Sequence, residues 1–161
     1  MIYSRTSEYA VRALSWLAAR KGGSPAGARE ISGGAGIPSA YAAKLLRALA
    51  AGGVLKSSYG RAGGFSFRRP PSKISLLDVV DAVEDRKRSP LYGCVMGFRD
   101  CGCGGSCPLH GAWAKAKAGI LRELGRTMIT DPGNMRGLFK SGKKSRKILS
   151  REVRDVFDKN K

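Results

Sequence analysis

The chain is short of acid, of histidine and of long apolar runs, and each shortage removes a class of function. Its 161 residues carry twelve Asp and Glu against thirty Lys and Arg, a formal net charge of +18. A protein that basic is matched to a polyanion such as nucleic acid, not to a neutral metabolite. His110 is the one histidine, which leaves general-base catalysis little to draw on. There is no dinucleotide fingerprint, no phosphate-binding glycine loop and no paired acid–base residues, so no enzymatic activity is expected. No uninterrupted apolar stretch approaches the roughly 18 residues of a membrane span. Arg5, Glu8 and Arg12 interrupt the start of the chain, so no signal peptide is expected. The protein is read as cytoplasmic, with no membrane partner.

What is present is unevenly placed. At 42% hydrophobic the chain can bury a core. Residues 1–73 hold twelve Lys and Arg against two acids, a net +10, and residues 136–161 hold ten against three, a net +7. Between these basic zones lie all four cysteines, Cys94, Cys101, Cys103 and Cys107, inside a fourteen-residue window, with His110 three residues beyond.

Hydrophobic spacing outlines the elements. Ala10, Ala13, Leu14, Leu17 and Ala18 predict a helix over 7–20, capped by Thr6 or Ser7 and ended by Gly22-Gly23. A short helix over 28–33 and a glycine turn over 33–38 follow. Pro38 suits the first turn of a third helix reaching to about residue 51. On it Ala42, Leu45, Leu46 and Leu49 face inward, while Ala43, Lys44 and Arg47 face outward. Strand-like runs over 54–57 and 65–68 flank a glycine-rich hairpin tip that carries Arg61. Ser75 opens another helix with Asp78 in the capping-box position. A long helix over 111–130 repeats Trp113, Ala116, Ile120, Leu124 and Met128, and Asp131-Pro132-Gly133 ends it. A last helix is read over 143–161, with Leu149, Val153, Val156 and Phe157 on one face.

That order gives a mostly α fold with a small β-hairpin wing, a winged helix-turn-helix followed by a long dimerisation helix. The third helix would meet a major groove with Lys44 and Arg47, and direct Ser39 and Tyr41 at the duplex from its positive N-terminal end. A thin tip bearing Arg61 fits a narrow minor groove. The alternative is a small helical bundle with a solvated basic face. The divisions are 1–86 for the reading domain, 87–111 for the cysteine loop, 112–131 for the dimerisation helix and 132–161 for a basic tail. A long apolar stripe beyond a self-sufficient domain calls for a second copy.

Thiolates clustered among glycines suit an iron–sulfur cluster or zinc. The tight Cys-x-x-Cys pairs of zinc ribbons are absent. Four unligated thiols, zinc, and a reversible disulfide without a cluster stay open as alternatives.

Four stretches carry a resemblance. The run from Ile2 to Leu14, the wing Gly60-Arg61-Ala62-Gly63-Gly64-Phe65, the run from Ile74 to Glu84, and Cys107-Pro108-Leu109-His110-Gly111-Ala112-Trp113 together resemble the Rrf-two family of bacterial transcription regulators, over about residues 1–130. That family includes iron–sulfur and nitric-oxide-sensing members. The resemblance implies a homodimer on a pseudo-palindromic double-stranded DNA operator, with one 2Fe–2S or 4Fe–4S cluster per subunit acting as a redox, nitric oxide or iron sensor. By position Cys94, Cys101 and Cys107 correspond to the three cysteine ligands. The fourth is His110 or, from the partner subunit, Glu8. Cys103 departs from the pattern and opens a choice between Cys101 and Cys103, or an all-cysteine site.

Overall fold

The computed structural model describes residues 4–20, 23–60, 63–86, 89, 91–94, 96–97 and 107–130. Arg61, Cys101, Cys103, the helix stop at 131–133, the tail and its predicted helix over 143–161 lie outside the described residues.

Helix α1 (Arg5–Ala18) begins two residues before the expected start. Its N-cap is Ser4, whose hydroxyl accepts from the Thr6 and Ser7 backbone N–H groups at 3.1 and 3.4 Å. Thr6 and Ser7, the expected caps, lie inside the helix. A helix start is decided by which side-chain oxygen reaches the unpaired amides, and three hydroxyl residues in four positions look alike in sequence. Ser7 is spent differently: it is buried and donates to the Glu84 carboxylate at 2.7 Å. The helix is already closed at Ala19, ahead of the glycines expected to stop it.

Helix α2 (Ala28–Ala35) ends at Gly36, whose left-handed φ of +62° turns the chain sharply. Helix α3 (Ser39–Ala51) follows, with Pro38 at the N-cap, one position before the helical turn assigned to it. Ala42, Leu45, Leu46 and Leu49 are buried as the spacing predicted, against Ala10, Ala13, Leu14 and Leu17 of α1 and Ile31 of α2. Gly52 closes α3 with an ordinary φ of −75°. Its value is space: a Cβ there would stand 2.8 Å from the Ala82 Cα of helix α4 (Leu76–Val83).

Strands β1 (Leu55–Ser58) and β2 (Gly64–Phe67) form the antiparallel wing, with Leu55 opposite Phe67 and Ser58 opposite Gly64. Ala26 adds a third edge that the sequence did not announce. It exchanges two backbone hydrogen bonds with Phe65, at 3.0 and 2.9 Å. A one-residue bridge has no period to read. The Ser75–Asp78 capping box is formed as expected, with bonds of 2.8 and 3.1 Å. Burial pushes the Asp78 carboxyl up, but the hydrogen bonds from Ser75 and Arg69 outweigh it and hold the group below its ordinary value.

Helix α5 (His110–Arg126) is shorter than the periodicity suggested. The chain becomes extended at Thr127, and Met128 leaves the helical stripe to bridge Ser75. The Leu76 N–H donates to the Thr127 carbonyl at 2.8 Å, and the Ile129 N–H to the Ile74 carbonyl at 2.9 Å. Ile129 joins the core at 2% exposure. Burying that side chain and pairing those backbone groups outweigh another helical turn through the β-branched Thr127, Ile129 and Thr130. By contrast, no residue of α5 itself is buried, and Trp113, Ile120 and Leu124 are half-covered. Among the described residues no helix is long and apolar enough to cross a membrane.

Candidate nucleic-acid interface and cysteine site

The outward face of α3 carries Ser39 on its first turn and then Lys44 and Arg47, all exposed. No side chain caps the helix. Arg47 lies along the helix, its Nε donating to the Ala43 carbonyl at 3.1 Å. Tyr41 sits differently. It is half-buried, its hydroxyl shares a 2.7 Å hydrogen bond with Thr6, and its ring meets Tyr9 edge-on at 6.0 Å. It braces α3 against the start of α1.

Arg12 is a second brace, and the sequence reading missed it. Its Nε donates to the Ala35 carbonyl at 3.1 Å and its Nη2 to the Gly36 carbonyl at 2.8 Å, which ties α1 to the turn between α2 and α3. Its guanidinium also lies over the Tyr9 ring at 5.9 Å, and Glu8 approaches it at 3.7 Å. No local pattern signals these contacts, since the partners lie 23 and 24 residues away. On the wing, Lys56, Arg68 and Arg69 are exposed, and Gly60 opens the tip with φ +101°.

The cysteine loop starts from a buried turn. Ser89 and Leu91 are 3% and 0% exposed. The Ser89 carbonyl accepts from the N–H groups of Tyr92 and Gly93, both at 3.0 Å. The Tyr92 hydroxyl donates to Asp81, which also pairs with Arg86 at 2.7 Å. Burial, with the Asp81 carboxylate beside it, pushes the Tyr92 phenol up to about 12. Glu84 accepts from the Ser4 N–H at 2.8 Å, the Ser7 hydroxyl at 2.7 Å, and Ser89. Burial raises that carboxyl, but the bonds prevail and its pKa lies below the ordinary value.

Cys94 follows this turn and is 8% exposed, while Cys107 at the far end of the loop is half-exposed; neither is in a disulfide. His110 opens α5, its N–H bonded to the Cys107 carbonyl at 3.1 Å. From α5 the Trp113 indole N–H and the Lys117 ammonium both reach the Gly93 carbonyl, at 3.0 and 3.2 Å. Thus Cys107 and His110 come together at the start of α5, while Cys94 is joined to the same helix through its neighbour. Glu8 lies apart on α1. Among the described residues no three His, Cys, Asp or Glu converge as a metal site. The donor chemistry available, two thiols and an imidazole, fits a soft metal or an iron–sulfur cluster.

Known proteins match this arrangement. The profile of the Rrf2 family, described as an iron-dependent transcriptional regulator, matches residues 3–132. A chain of Aquifex aeolicus named as an HTH-type transcriptional regulator is 30% identical over 133 residues, covering 81% of this chain and 90% of that one. Protein aau3 of Rhizobium meliloti is 34% identical over 132 residues, covering 81% and 84%. Among solved structures, IscR of T. potens shares the fold with a TM-score of 0.64 at 23% identity, covering 84% and 88%. CymR of B. subtilis, named as its global cysteine regulator, does so with a TM-score of 0.63 at 18% identity, covering 84% and 98%. With a helical fold that carries a two-stranded antiparallel wing and a family match that spans the whole described fold, the chain belongs to the Rrf2 family of DNA-binding transcriptional regulators, which are not enzymes.

Proposed function

We propose that the chain acts as a cytoplasmic homodimer whose operator affinity is set by an iron–sulfur cluster, one per subunit, in the 94–107 loop. The observation that carries this reading is the placement of Cys94 and Cys107 at the two ends of a loop that joins the core to α5. Cys94, Cys107 and one of Cys101 and Cys103 would supply thiolates, with His110 or Glu8 of the partner subunit as the fourth ligand. Such a cluster supplies electron-transfer and nitric-oxide chemistry when bound. The protein's part is geometric. Lys44 and Arg47 meet base edges or phosphates, Ser39 and the uncapped start of α3 face phosphate, Tyr41 fixes the angle of α3, and Arg61 enters the minor groove. The half-covered face of α5 packs on a second copy, which sets two reading helices about one helical turn, or a multiple, apart. A constraint on the loop then acts on α5 and on that spacing.

The test is purification under inert gas, iron and sulfide counts, and fluorescence anisotropy on a selected operator. Iron and sulfide in the protein, with affinity altered by replacing Cys94 and Cys107 with alanine, are expected. A colourless protein whose affinity ignores both substitutions overturns the reading. A thiol regulator without a cluster is the second reading, favoured by the half-exposed Cys107 and by the fold shared with CymR. Under it the protein holds no iron, and mild peroxide changes operator affinity until dithiothreitol restores it.

A further inference from the structure

We propose that Trp113 and Lys117 are positioning residues for Cys94. By converging on the Gly93 carbonyl they fasten the peptide that precedes the thiol to α5 and keep the thiol shielded in the metal-free chain. The inference rests on reading Cys94 as a ligand.

Two donors four residues apart lie on one face of α5 and share one acceptor, at 3.0 Å from the indole and 3.2 Å from the ammonium. A carbonyl oxygen has two lone pairs, so both bonds can be satisfied together. The ammonium also lies 5.9 Å from the centre of the Trp113 ring, so the two side chains support each other. The bond from Lys117 is charge-assisted and is the longer of the pair. The reading helix and the wing make no use of these contacts. Gly93 is held from a second direction by the Ser89 carbonyl, and a Cβ on it would meet that oxygen at 3.3 Å. The Gly93 peptide is therefore held from both sides, its N–H by Ser89 and its carbonyl by α5.

Two consequences follow. Cys94 enters coordination already placed, so less chain entropy is lost when the remaining ligands close. In the metal-free protein the thiols differ, because alkylation requires an accessible thiolate and Cys94 is 8% exposed while Cys107 is half-exposed.

The experiment uses the full chain, reduced and freed of metal with a chelator. It is pulsed with iodoacetamide at fixed pH, and each cysteine is quantified by peptide mass spectrometry. Cys94 in the wild type is expected to label at least tenfold more slowly than Cys107. Trp113→Phe keeps an aromatic ring, though a smaller one, and removes the N–H, while Lys117→Met keeps an unbranched stem and removes the charge. The double variant is expected to label Cys94 at least fivefold faster than the wild type, with Cys107 within twofold of its wild-type rate. Lys117→Arg is expected to keep Cys94 slow. Leu46→Val, a core change away from the clasp, controls for general loss of stability and is expected to leave the Cys94 rate unchanged. The proposal is overturned if the double variant labels Cys94 at the wild-type rate, or if Leu46→Val accelerates it equally. Iron and sulfide uptake under inert gas is measured separately. A wild type that takes up neither loses the ligand reading, while the alkylation comparison still decides the clasp.

Discussion

Replacing Ile129 with alanine tests the most unexpected packing in the molecule. The residue follows a helix that buries nothing of its own, yet it is 2% exposed and closes the core beside Ile74. Ile→Ala removes three carbons, about 2.4 kcal/mol at ~0.8 kcal/mol for each buried methylene. The cavity left behind adds to this, for a total of about 3–4 kcal/mol. With a urea m-value of about 1.5 kcal/mol/M, the midpoint should fall by about 2 M. The assay is urea unfolding followed by circular dichroism, with reductant and chelator present and at one protein concentration, so that metal and dimerisation do not contribute differently. Thr130→Ala, one residue on and exposed, should stay within about 0.5 kcal/mol of the wild type. A loss below about 1 kcal/mol for Ile129→Ala, with an unchanged m-value, refutes the docking of this segment.

Three further outcomes are expected. Gly52→Ala places a methyl group against the α4 backbone and should destabilise by about 1–3 kcal/mol despite alanine's better helix propensity, read as a lowered Tm. The depressed pKa of Glu84 means that its contribution is present above its ordinary value of 4.5 and is lost as pH falls through the lower folded-state value. The wild type should therefore lose more stability between pH 6 and pH 3 than Glu84→Gln does, read by denaturant midpoints across that range. Lys44→Ala and Arg47→Ala should each weaken operator binding and, for each phosphate no longer neutralised, flatten the log–log salt dependence by about 0.9, read by anisotropy from low to high salt.

The parts legible in the sequence were those whose causes lie within one or two helical turns. The inward face of α3 follows from helical spacing, and the capping box of Ser75 and Asp78 from a three-residue motif. Lys44 and Arg47 are exposed because the same spacing leaves them on the other side. What escaped was set by distant partners. The role of Ser7 depends on Glu84, 77 residues away, and the end of α5 depends on Ile74 and Ser75. Tyr41 stands on the first turn of α3, at the border between its two faces, and only contact with Thr6 and Tyr9 settles which way it leans. At the cysteine site, the spacing marked Cys94 and Cys107 as a cluster of donors. It gave no sign that one is buried and the other open, nor that α5 reaches back to Gly93.

Helix α5 is anchored near one end by Gly93 and just beyond the other by the pairing of residues 127–129 with 74–76. A rod pinned at two points cannot swing out as a loose arm, so for this helix to leave its seat both fastenings would have to break. Both fastenings are made by residues outside the 94–107 segment, so the seat of this helix is built by the core and by the helix itself.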